Sequence, residues 1–123
     1  MSAVYLDTNF FISLVEPRGN LTLDVYENYN LCVSTLSLHI FAYVYKRKMP
    51  DQQFVDFSQY YSLVDLTEEI ITRAAVGPTS DFEDNIQLNS AAAAKCNYFL
   101  TQDKELLKLR FFGSVEIRSQ LPQ

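Results

Sequence analysis

Short apolar runs alternate with segments of helical spacing along the whole chain. "AVYL" (3–6) is an unbroken apolar run and predicts a short, fully buried strand. "NFFISLVE" (9–16) predicts a short helix that ends near Pro17 and Gly19. "LTLDVYENY" (21–29) predicts a second helix and "LCVS" (31–34) a second strand. In "LSLHIFAYVYKRK" (36–48) the apolar residues at 36, 40, 41 and 44 have the spacing of one helical face, and Met49-Pro50 closes the helix. "DQQFVDFSQYY" (51–61) is helical or irregular, with Phe54 and Phe57 one turn apart, and "YSLVDL" (61–66) predicts a strand.

Thr67 is placed to cap "EEIITRAAV", which stops at Gly77-Pro78. Ser80 and Glu83 form an S-x-x-E capping box, which puts Asp81 and Asp84 in the first turn of a helix running through Ala91–Ala94. "NYFLT" (97–101) predicts a strand, "KELLKLRFF" (104–112) a short helix, and "SVEIR" (114–118) a last strand. Strands and helices alternate throughout. That order predicts an α/β fold with a mostly parallel sheet of four to five strands and helices on both faces.

Composition narrows this reading. The 123 residues fit one domain. Nine Phe and eight Tyr make a packed core feasible without staples. No apolar stretch reaches the roughly 20 residues of a membrane span, and the N-terminus lacks the basic and apolar regions of a signal peptide. The expectation is a soluble, cytoplasmic chain. Cys32 and Cys96 have no Cys or His neighbour at zinc-ligand spacing, so two reduced, buried thiols are expected. A net charge of −5 argues against an indiscriminate nucleic-acid coat. It still allows an acidic pocket in which a bound divalent cation inverts the local sign.

Three acids stand out by position. Asp7 directly follows the first strand, Asp103 follows the fourth by two residues, and Asp84 lies at the start of the helix before that strand. Sites in open parallel sheets form beyond the carboxyl ends of strands, where the topology switches. Each acid alone could be only a turn former, a cap or a complement to a helix dipole.

These residues carry a resemblance. "YLDTNFFISLV" (5–15) resembles the opening strand of PIN domains, with its Asp-Thr-Asn. "DFEDNIQLNSAAAAKCNYFLTQDKEL" (81–106) resembles their second signature: Asp-Phe-x-Asp opening a helix, an Ala-rich stretch, and a strand ending in Thr-x-Asp. The whole chain, 1–123, is similar in length to a single-domain toxin of VapC type. The resemblance implies a three-layer α/β/α sandwich and a magnesium- or manganese-dependent endoribonuclease. It implies that Asp7, Asp84 and Asp103 are the catalytic, metal-holding acids, with Thr8, Asn9 and Thr101 orienting them. It also implies an RNA substrate, an antitoxin protein and a homodimer. Both cations favour oxygen ligands and keep several waters, which suits carboxylates.

One family acid is absent. PIN domains usually carry a Glu early in the helix after the second strand. Aligning Ser34-x-Leu36-x-Leu38 puts Ile40 at that position, with His39 beside it about 100° round the helix. Three acids could suffice, helped by Asp81. His39 could replace the Glu. Or the site could be crippled, leaving a module that binds RNA or protein. Lys46, Arg47 and Lys48 are candidates either for the helix C-terminal dipole or for RNA phosphates. Phe10, Phe11, Phe41, Tyr43 and Tyr45 are expected in the core or a dimer face. A phosphoacceptor receiver domain is a weaker alternative, because "YLDTN" offers only one of the two acids it needs.

Overall fold

A computed structural model describes residues 1–15 and 23–122. Strand β1 (Ser2–Leu6) leads into helix α1 (Thr8–Val15). Then come β2 (Tyr29–Ser34), α2 (Thr35–Val44), α3 (Gln52–Tyr60) and β3 (Ser62–Val64). The second half runs α4 (Glu68–Ala74), α5 (Phe82–Ala93), β4 (Tyr98–Leu100), α6 (Lys104–Leu109), β5 (Phe111–Phe112) and β6 (Val115–Arg118).

The six strands form one sheet in the order β3-β2-β1-β4-β6-β5. All neighbours are parallel except the β5–β6 pair. The chain builds outward from β1 to β2 and β3, then returns to lay β4 on the other flank of β1. That reversal makes the carboxyl ends of β1 and β4 a topological switch point, the place where such sheets form sites.

Alternation along the strands feeds two cores. Val4, Leu6, Leu31, Val33 and Leu100 face a cluster with Phe11, Phe41, Phe57 and Tyr61 from the first helices. Tyr5, Cys32, Phe99 and Ile117 face the opposite side, against Leu88 and Ala91 of α5 and Leu106 of α6. Sheet and two helical layers together give the expected sandwich. No helix among the described residues is long and apolar enough to cross a membrane. Cys32 and Cys96 are free and buried.

The structure corrects several local expectations. A second helix over 21–29 does not form in the described part: Leu23–Tyr26 is one 3₁₀ turn and Tyr29 already belongs to β2. The stop near Pro17 and Gly19 lies outside the described residues. Helix α2 ends at Val44, short of Lys48, because Tyr45 caps it and Lys46 turns left-handed at φ 51°. The cap of α5 is Asp81, not Ser80, since the Asp81 carboxylate takes the Asp84 N–H at 2.9 Å. A sixth strand, β5, comes from Phe111–Phe112, which the pattern assigned to a helix. Of the aromatics expected in the core or a dimer face, Phe10, Phe11 and Phe41 lie in the core, while Tyr43 and Tyr45 are exposed at 80% and 42%.

Candidate metal and active site

Asp7 is the first residue beyond β1. Its N–H donates to the Leu100 carbonyl at 3.2 Å, and its carboxylate accepts the Phe10 N–H at 2.8 Å. It therefore caps α1 while sitting buried at the switch point. Thr101, the first residue beyond β4, is fully buried. Its N–H donates to the Arg118 carbonyl at 3.0 Å. Its hydroxyl hydrogen-bonds the Asp7 carboxylate and accepts the Asp103 N–H at 3.0 Å. One threonine thus ties the two strand-end acids together. Asp103 is exposed and caps α6, accepting the N–H groups of Glu105 at 2.8 Å and Leu106 at 3.3 Å. Asp84 is half-buried in the first turn of α5.

The acids feel one another. Burial pushes the Asp84 carboxyl up to about 6, and the charges of Asp81, Asp103, Glu83 and Asp7 push in the same direction. Burial also raises Asp7, with Asp103 adding to it, while Thr101 and the Phe10 N–H act the other way. Among the described residues no ion pair joins Asp7, Asp84 or Asp103 to a basic side chain. Like charges gathered without a counter-ion, all with hard oxygen donors, fit a divalent cation of the magnesium kind. Among the described residues no group of three or more His, Cys, Asp or Glu side chains is arranged so that it could hold a metal ion as it stands. Magnesium typically takes one or two carboxylates and keeps its remaining waters, so its binding does not demand a closed cage.

The remaining candidates fall into two groups. Thr101 hydrogen-bonds the Asp7 carboxylate. The Thr8 hydroxyl hydrogen-bonds Ser37 Oγ at 3.0 Å and accepts from Gln87 Nε2 at 3.0 Å. Asn9 is exposed, as is His39, and Ile40 is half-buried on α2. His39 is not among the groups that shift the Asp7 or Asp84 carboxyls. Asp81 serves α5 as its cap and adds its charge to Asp84. Arg47 is committed to Asp51 at 2.6 Å and lies over the rings of Phe41 and Phe54, which leaves only Lys46 and Lys48 exposed.

Sequence reasoning missed the polar group under the acids. The Tyr5 phenol donates to Gln87 Oε1 at 2.5 Å, and Ser37 Oγ reaches the same oxygen at 3.5 Å. All three residues are buried, as is Thr8, which hydrogen-bonds both Gln87 and Ser37. The available signal was a Gln in the buried stretch of an Ala-rich helix and a Tyr in the middle of a buried strand, both of which need a partner.

The PIN domain family matches residues 4–111. The chain belongs to the PIN domain family. As a family, PIN domains are nucleases that generally use divalent metals. This PIN domain has no match among curated proteins at the level of sequence. Solved structures that share its fold include two VapBC complexes. One is VapBC2 from Rickettsia felis bound to a DNA fragment from its promoter, with a TM-score of 0.64 and 12% identity, covering 94% of this chain and 97% of that one. The other is DNA-bound VapBC from Salmonella typhimurium, with a TM-score of 0.58 and 13% identity, covering 96% and 98%.

Proposed function

We propose that this PIN domain is a divalent-metal-dependent endoribonuclease and the toxin of a toxin–antitoxin pair. The observation that supports the reading most is that the Asp7 and Asp84 carboxyls are both raised, with the charge of Asp103 among the causes of each, although the three acids are far apart in sequence. Asp7, Asp84 and Asp103 would hold magnesium or manganese. When bound, such an ion supplies Lewis-acid polarisation of a phosphodiester and a water of lowered pKa.

The chain's own groups divide the remaining work. Thr101 and the Phe10 N–H fix the Asp7 carboxylate, so its free oxygen lone pairs keep one direction. Asp103 is held at its backbone by the same Thr101 hydroxyl. Asp84 is pushed up by burial and by its acidic neighbours, a cost that a cation held between these carboxylates would relieve. Without a cation the acids would repel an RNA phosphate, so binding of the two is coupled.

The VapBC complexes that share this fold support an antitoxin as partner. An antitoxin that covers the acids and a homodimer are the expected assembly, with residence in the cytoplasm. Ile40 favours one second reading, a catalytically weak PIN module that binds RNA or protein. It places an apolar side chain where the family usually supplies a fourth carboxylate.

A manganese titration by calorimetry on the parent and on Asp84→Asn tests the proposal, followed by cleavage of a mixed RNA pool. Binding that Asp84→Asn loses, with metal-dependent cleavage by the parent, is the expected result. Binding without cleavage favours the second reading. A folded parent that binds no manganese overturns the metal site.

A further inference from the structure

We infer that Gln87 is a positioning residue: its buried amide sets where α5 presents Asp84 relative to Asp7. The inference deepens the metal-site reading above and rests on it. Gln87 lies three residues, just under one helical turn, after Asp84 on α5. Its amide reaches three other elements. Oε1 accepts the Tyr5 phenol of β1 at 2.5 Å and Ser37 Oγ of α2 at 3.5 Å. Nε2 donates to Thr8 Oγ1 at the start of α1 at 3.0 Å. Thr8 and Ser37 close the group at 3.0 Å.

Two members lie close in sequence to Asp7, and the third is on α2. Tyr5 is two residues before Asp7 and Thr8 is one after it. Ser37 is three residues before Ile40 on α2. Gln87 is 2% exposed, and Tyr5 and Ser37 are fully buried. Buried amides and hydroxyls lose heavily when left unpaired, so the bonds from Gln87 to β1 and α1 resist displacement of α5. Apolar contacts such as those of Leu88 and Ala91 let a helix slide by a fraction of an ångström at little cost. A short amide bond to β1 and another to α1 do not. No three acids stand ready as ligands among the described residues. The axial placement of α5 therefore decides how Asp84 and Asp7 meet a cation.

The test separates positioning from stability. Gln87→Leu leaves Tyr5, Thr8 and Ser37 without the amide. The double variant Tyr5→Phe with Gln87→Leu replaces the partners by an apolar pair, a change that can be nearly neutral for folding. Both are expected to bind manganese about tenfold more weakly, the low end of what losing a bond made directly to a ligand costs. Phe57→Leu, in the aromatic cluster on the other face, is expected to lower the melting temperature and leave manganese affinity at the parental value. Should Gln87→Leu not fold, Gln87→Met carries the same expectation. Parental manganese affinity in a folded Gln87 variant overturns the inference.

A second readout needs no metal. The Phe10 and Asp84 amides, held by the Asp7 and Asp81 carboxylates, are expected to change their NMR shifts in the double variant, whereas the Glu105 amide on α6 is not. If the parent binds no manganese yet these two amides shift, the metal-site reading fails and the positioning role stands. If they do not shift, the positioning role fails as well.

Discussion

The two faces of the sheet are covered by helices of opposite character. Under α1, α2 and α3 the cover is made of rings. Phe11 meets Phe57 and Tyr61 edge-on at 5.3 Å, and Phe41 stacks on Phe54 at 5.7 Å. On the other face α5 buries Asn85, Gln87, Asn89 and Ser90 beside Leu88 and Ala91. Asn85 grips the α4–α5 turn, donating to the carbonyls of Ala74 and Thr79, both at 2.9 Å, and accepting the Thr79 N–H at 2.9 Å. Ring packing depends on area and tolerates small shifts. Amide bonds depend on direction and do not. The difference teaches where this PIN domain keeps stability and where it keeps placement: the aromatic face carries the first, and α5 with its row of buried amides carries the second.

The largest effect is expected on the aromatic face. Phe11→Ala removes a fully buried ring and should cost about 3–5 kcal/mol, read from the denaturant midpoint. The fraction that remains folded should bind manganese as the parent does. A change in affinity as large as that of the Gln87 variants would erase the contrast between the faces.

Thr101→Val comes next. It keeps shape but removes the hydroxyl that serves both Asp7 and the Asp103 N–H. A loss of about 1–3 kcal/mol is expected for the buried polar groups left unpaired. The Asp7 carboxyl should also rise further, because the hydroxyl favours its charged form, and carbon-detected NMR titration would show it. Ile40→Glu should tighten manganese binding about tenfold, or about 1.4 kcal/mol, if α2 borders the same site. Equal affinities for parent and variant would remove α2 from the site.

The smallest effect is a pH dependence. Asp84 holds its proton more tightly in the folded protein, at about 6 against 3.8 for the free group. Between those values the native state binds more protons than the unfolded chain, so this group makes stability fall as pH rises through that window. Asp84→Asn should therefore raise the urea midpoint at pH 7 in the presence of a chelator and leave it nearly unchanged near pH 4. A lower midpoint at pH 7 would mean that Asp84 has a counter-ion after all.

How much of this was legible in the sequence depended on distance along the chain. The buried strands announced themselves as apolar runs, and the switch-point acids could be seen because each follows a strand or opens a helix. Single-residue shifts in capping were harder: Ser80 and Asp81 are both good caps, and only the carboxylate's reach to the Asp84 N–H decides between them. Phe111–Phe112 is too short to show a strand period and gained its state from pairing with β6. The Gln87 group was illegible for a plain reason. Its bonds span separations of 82, 79 and 50 residues, and no local pattern encodes partners that far apart. The capping that the structure gives Asp7 and Asp103 is compatible with the chemical role proposed for them. A carboxylate that caps a helix with one lone pair keeps others for a ligand.

The ends of the sheet carry a consequence of their own. On one side β3 has three residues, and on the other β5 has two and runs against its neighbour. An open strand edge invites pairing with another chain, and stubs this short offer few backbone groups for it. The long central strands β1 and β2, rich in the apolar residues that fibrils favour, have partners along their inner lengths. Copies made in quantity are thereby discouraged from zipping together edge to edge.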